Sequence, residues 1–235
     1  MSEEKKTDLF KTLIEKGSLK QDVYNNTLEA FNYFRKACKE ITTKYQKDHI
    51  ASNKKVPVVY KDRGEFEFEM KFAGDILVFM MHTNVFEFPR EHVVMKTSYV
   101  KEDTDRSYCG IISIYNFLAD SFKYKRLNDL GYLIGRIFVN KDMHYFLEGK
   151  REIGLLYINF VNAIMTFEEA RNIAESAMMY ALNFDLLTPL YNNVKEVPVG
   201  SMLQYRDMMK LKTAKRLGFR FQADHEELDD DPESK

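Results

Sequence analysis

The feature that most constrains this chain is the run from Gly131 to Phe160, GYLIGRIFVN-KDM-HYFLEG-KR-EIGLLYINF. Ile134, Ile137, Phe138 and Val139 suit a pleated, buried surface. Asn140-Lys141-Asp142 supplies turn chemistry, and His144 to Glu148 resumes the alternation. The run reads as a β-hairpin followed by a third apolar strand, 154–160, although Leu155 to Met165 could equally run on as a helix. A chain built on it needs further strands beside the hairpin and a helix over one face.

Register decides which side chains meet. A three-residue loop, Lys141 to Met143, sets Asn140 opposite His144, Phe138 opposite Phe146 and Arg136 opposite Glu148. A two-residue loop would set Arg136 against Leu147. The longer loop is favoured, because an opposite-charge pair and an aromatic pair each contribute about 0.2–1 kcal/mol. Gly135 has no side chain to pack and suggests a bulge or a close backbone approach.

Before the hairpin, Asp8 to Lys16 reads as a short helix stopped by Gly17, and Ser18 as the N-cap of a long helix over 19–48. Tyr24, Leu28, Phe31, Phe34, Cys38, Ile41 and Tyr45 recur at helical spacing along it. A helix of that length packs on the domain or forms a homodimer seam. Val56 to Tyr60, with Pro57, reads as an edge segment. Asp62-Arg63-Gly64 reads as a turn, and Glu65 to Phe72 as a half-exposed antiparallel strand. The segment 76–88 reads as a strand that is central in its first half, 91–100 as another strand, and Tyr108 to Phe117 as a buried one. Leu118 to Leu130 fits a connecting helix or a loop. Thr166 caps a helix lined by Phe167, Ala170, Ile173, Ala174, Ala177, Met178, Ala181 and Leu182. Ser201 opens a last helix to about Leu217.

These elements predict an α+β fold, a mainly antiparallel sheet of about five to seven strands flanked by the long N-terminal helix and C-terminal helices. The expected organisation is a short helical segment at 1–17, one α+β domain at 18–222 and a disordered acidic tail at 223–235.

Charge and cysteine usage narrow the functional classes. A net charge of −1 means that nucleic-acid binding would need a local basic patch. Cys38 and Cys109 are the only cysteines; they form no CxxC site and weakly suit a reducing compartment. The N-terminus lacks the apolar region of a secretory signal, and no apolar run approaches the ~20 residues that span a bilayer. A cytoplasmic protein with no membrane partner is expected.

Three constellations carry chemistry. Glu67, Glu69 and Lys71 share one strand face, with Asp62 upstream. The string Glu69-Met70-Lys71 resembles the acid-x-lysine element of the PD-(D/E)xK nucleases. That resemblance implies carboxylates holding a divalent metal and a lysine stabilising charge on the attacked phosphate. Lys61, not proline, precedes Asp62, and alternating charge on a solvated strand is the commoner origin of such a pattern. The second set is polar residues within apolar strands: His82, Asn84, Asn116, Arg136, His144 and Glu148. Buried polar groups need partners, so these meet one another or line a ligand pocket, with structural pairing favoured over catalysis. No histidine pair has zinc-site spacing, and neither a metal nor a cofactor is expected. The third is Lys210, Lys212, Lys215, Arg216 and Arg220, interleaved with apolar side chains. It suits a polyanion such as nucleic acid, or a solvated helix docking its apolar stripe.

The reading that follows is a non-enzymatic binding or adaptor protein using a sheet pocket or the basic C-terminal helix, most readily for a protein partner. The alternative is a metal-dependent nuclease, or another phosphate-processing enzyme, on the Glu67/Glu69/Lys71 face.

Overall fold

A computed structural model describes residues 3–48, 56–149 and 160–200, with side chains from Asp8 onward. One helix, α1 (Glu3–Asp48), is followed by strands β1 (Val58–Gly64), β2 (Glu67–Phe72), β3 (Asp75–Met81) and β4 (Phe86–Glu87). A 3₁₀ turn at Val93–Lys96 and α2 (Ser98–Glu102) lead to β5 (Tyr108–Leu118) and α3 (Ala119–Lys123). The hairpin β6 (Tyr132–Asn140) and β7 (Tyr145–Gly149) comes next, then α4 (Phe167–Leu182) and α5 (Tyr191–Val194). The seven strands form one antiparallel sheet in the order β1-β2-β3-β5-β6-β7, with β4 also paired to β5. The architecture is the expected α+β one. No helix of the described residues is long and apolar enough to cross a membrane.

The inner face carries Phe68, Met70 and Phe72, then Leu77, Phe79 and Met81, then Ile112 and Ile114, and finally Ile134, Ile137, Val139, Tyr145 and Leu147. Ala30, Phe31, Phe34 and Cys38 of α1 and Ala170, Ile173, Ala174, Ala177 and Ala181 of α4 close over them. The alanines let α4 lie close to its neighbours. α1 also comes close to β5. A Cβ added to Gly110 would stand 2.1 Å from Thr27 Oγ1, so the crossing requires glycine there.

The hairpin has the expected register, with Arg136 opposite Glu148 and Phe138 opposite Phe146, and the Asn140 N–H donates to the His144 carbonyl at 3.0 Å. Met143 closes the three-residue loop at φ 60°, the left-handed position that such loops use. The expected irregularity near Gly135 is a bulge: Ile114 pairs with Gly135 while Tyr115 pairs with Leu133. The extra residue, Ile134, turns into the core. The close backbone approach falls on Gly149, whose added Cβ would stand 2.5 Å from the Ile134 carbonyl oxygen.

Three local expectations are corrected. Gly17 does not stop a helix, since α1 runs through it unbroken and Ser18 is interior rather than a cap. Residues 91–100 form no strand. His92 Nδ1 accepts from the Val94 N–H and Thr97 Oγ1 from the Val100 N–H, and these caps hold the backbone in two short helical turns. The turn placed at Asp62-Arg63-Gly64 lies at 65–66 instead, so Asp62 stays within β1. The third hairpin-adjacent strand at 154–160 falls, apart from Phe160, outside the described residues, as do the helix from Ser201 and the tail at 223–235.

Candidate functional site: the outer sheet face

The face away from α1 can be built from the strand registers. One row crosses five strands as Glu67, Met80, Ser113, Arg136 and Glu148. The next row is Lys61, Glu69, Val78, Tyr115 and Leu133, and the one after it Val59, Lys71, Ile76 and Phe117. The bulge in β6 keeps both Leu133 and Arg136 on this side; without it one of them would turn inward.

The end of this face nearest the hairpin loop is roofed. Phe88, Val94, Tyr99, Val100 and Phe160 pack on Phe138, Phe146 and Cys109. Tyr99 locks the roof to the loop. Its hydroxyl donates to Asp142 Oδ2 at 2.8 Å and accepts from Asn140 Nδ2 at 3.1 Å, while its ring stacks on His144 and carries the Arg106 guanidinium 4.2 Å from its centroid. Burial, with Asp142 beside it, pushes the Tyr99 hydroxyl up to about 12. Lys141 reaches Asp103 Oδ2 at 2.7 Å and holds that carboxyl below its ordinary value. This network is internally satisfied.

The remaining half of the face is open. Met80 is 43% exposed, Leu133 41% and Val59 44%, around half-buried Tyr115 and Phe117 and above buried Ile76 and Val78. Phe122 of α3 extends the patch, edge-on to Phe117 at 5.3 Å. Charges flank it: Arg136 paired with Glu148 on one side, and Arg63 with Glu69 (2.8 Å), Glu67 and Lys71 on the other.

The structure brings together some of the residues singled out in the sequence and separates others. Glu67, Glu69 and Lys71 share the outer face, but Glu69 is buried against Arg63. Asp62 pairs with Phe68 and so points to the inner side, where Arg35 and Lys39 of α1 and the Tyr60 hydroxyl bind it. The sheet therefore separates Asp62 from the other three, which cannot join it around one metal ion. Among the described residues no group of three or more His, Cys, Asp or Glu is placed to hold a metal.

Of the six polar strand residues only Arg136 and Glu148 meet side chain to side chain. His82 and Asn84 sit in the exposed turn after β3, where the Asn84 N–H donates to His82 Nδ1 at 3.0 Å. Asn116 is buried on the inner face opposite Leu77, its Oδ1 without a hydrogen-bond partner. His144 lies at the hairpin loop, its Nδ1 3.0 Å from the Phe160 carbonyl. These groups lie on both faces and at both ends of the sheet and line no common pocket. Lys210, Lys212, Lys215, Arg216 and Arg220 fall outside the described residues.

A groove of about 680 Å³ runs along the solvent side of α1, lined among others by Arg35, Lys36, Lys39, Glu40 and Lys44. Its cations are largely engaged: Arg35 with Asp62, Lys39 with Asp62 and the Tyr60 ring, and Lys36 with the Phe167 ring. Sequence reasoning missed the outer patch. Met80, Tyr115, Phe117 and Leu133 belong to three strands, and only strand order and the bulge in β6 align them. No family model, no curated protein and no solved structure matches the chain.

Proposed function

We propose that the chain is an intracellular, non-enzymatic binding protein that engages a protein partner through the open half of its outer sheet face. One observation carries this reading: an apolar centre of Met80, Leu133, Tyr115 and Phe117 bordered by charges of both signs. Protein interfaces share this anatomy, with a Met- and aromatic-rich core and a polar rim. Glu69 is paired with Arg63 and Glu148 with Arg136, so the rim carries no excess of positive charge for a phosphate backbone, which favours a protein over a polyanion at this face. The free, buried Cys38 and Cys109 suit a reducing, cytoplasmic setting.

The test is affinity capture from native lysate with the wild-type chain and with a Met80→Glu, Leu133→Glu variant. Both side chains are exposed, so the variant is expected to fold with a wild-type melting temperature and to lose a protein that the wild type retains. Identical captured sets, or nucleic acid retained by both in place of protein, would refute the reading.

A further inference from the structure

A second surface lies far from the sheet. From Asp8 to Ser18 every residue of α1 is exposed, and the helix is first buried at Val23. The arm from Asp8 to Asp22 is roughly 22 Å long at ~1.5 Å per residue. Along it Leu9, Phe10, Leu13 and Ile14 form a stripe, exposed by 55%, 59%, 63% and 67%. Gly17 continues the same line, one turn beyond Leu13 and two beyond Phe10. A Cβ placed on Gly17 would meet nothing within 4 Å. Among the described residues nothing in the chain's own packing calls for glycine there, although glycine weakens a helix interior relative to alanine.

We infer that this arm pairs with the same arm of a second copy of the chain, antiparallel, with Phe10 of each seated over Gly17 of the other. The patch is self-complementary in the way a two-fold interface requires. Set the axis between Leu13 and Ile14. Leu13 of one copy then meets Ile14 of the other, and the bulkiest side chain of the stripe meets the position that has none. The missing side chain at Gly17 lets the two helices close to the short end of the ~8–10 Å interaxial range. Four large apolar side chains from each copy bury on the order of 1,000 Å² together, the low end for specific association, so the dimer is an exchanging one.

Sedimentation of the full chain over a concentration series tests this, alongside two variants. Leu13→Lys puts a charge on the axis. Gly17→Leu fills the seat for Phe10 while meeting open space within its own chain. The expected result is a wild-type mass rising from 27.8 kDa towards twice that value with concentration. Both variants should stay at the monomer mass, and Gly17→Leu should show helix content by circular dichroism equal to or above wild type. A wild-type chain that stays monomeric throughout would overturn the inference. So would association of either variant at wild-type strength, or loss of helix in Gly17→Leu, since open space at Gly17 is the premise.

Discussion

Arg136 and Glu148 face each other across the β6–β7 hairpin, and both Nε, at 2.8 Å, and Nη2 of the guanidinium donate to the same oxygen, Glu148 Oε2. The side chains remain 40% and 48% exposed, with the guanidinium 5.0 Å from the centroid of the Phe138 ring. Water therefore screens the pair. A double-mutant cycle with Arg136→Ala and Glu148→Ala should give a coupling of about 0.2–1 kcal/mol that shrinks with added salt. A coupling of several kcal/mol, as a buried pair would show, would contradict this geometry.

Asn140 is the polar pivot of the hairpin loop. Its Oδ1 accepts from the N–H groups of Asp142 and His144, both at 3.0 Å, and its Nδ2 donates to the Tyr99 hydroxyl and the Arg106 carbonyl. Asn140→Ala removes four hydrogen bonds, strands the buried Tyr99 hydroxyl and the half-buried His144 N–H and Arg106 carbonyl, and should cost about 2–4 kcal/mol in denaturant unfolding, against about 1 kcal/mol for Tyr99→Phe. Equal effects would mean that Tyr99, not Asn140, holds the roof to the loop.

The Asp103 carboxyl gives the roof a pH dependence. The hydrogen bond from Lys141 holds it below the ordinary 3.8, helped by the Asp105 N–H and Arg106 and opposed by partial burial. A carboxylate whose folded value is depressed adds stability above its unfolded value and loses it as pH falls through the folded one. Asp103→Asn keeps a cap for the Asp105 N–H but removes the charge. Its melting temperature should lie below wild type at neutral pH, and the gap should close as pH falls below about 3.8. A gap independent of pH would assign the loss to packing.

The sequence allowed the hairpin register to be read because two residue pairs discriminated between loop lengths: Arg136 with Glu148, and Phe138 with Phe146. The interior places of β3 and β5 in the sheet followed from their apolar residues, whereas the outer side chains of β5, Ile111, Ser113, Tyr115 and Phe117, are half-buried where a fully buried strand was expected. What stayed hidden depended on local caps and on tertiary alignment. Val93-Val94-Met95 has the composition of a strand, and the His92 and Thr97 side chains override it. Asp62-Arg63-Gly64 has turn chemistry, yet Arg35 of α1 binds Asp62 and the Gly64 carbonyl and holds the segment in the sheet's edge strand. The open patch was the least accessible, because a bulge at Ile134 decides which side Leu133 faces.

Site-specific photo-crosslinking inside cells tests whether a protein partner sits on the outer sheet face. A crosslinking side chain would replace Met80 or Leu133 on the outer face, or Met179, which is 57% exposed on α4 in the helix layer. The expected result is one shared protein adduct from positions 80 and 133, and its absence from position 179. No adduct at 80 and 133, or the same adduct from all three positions, would contradict binding through the outer face.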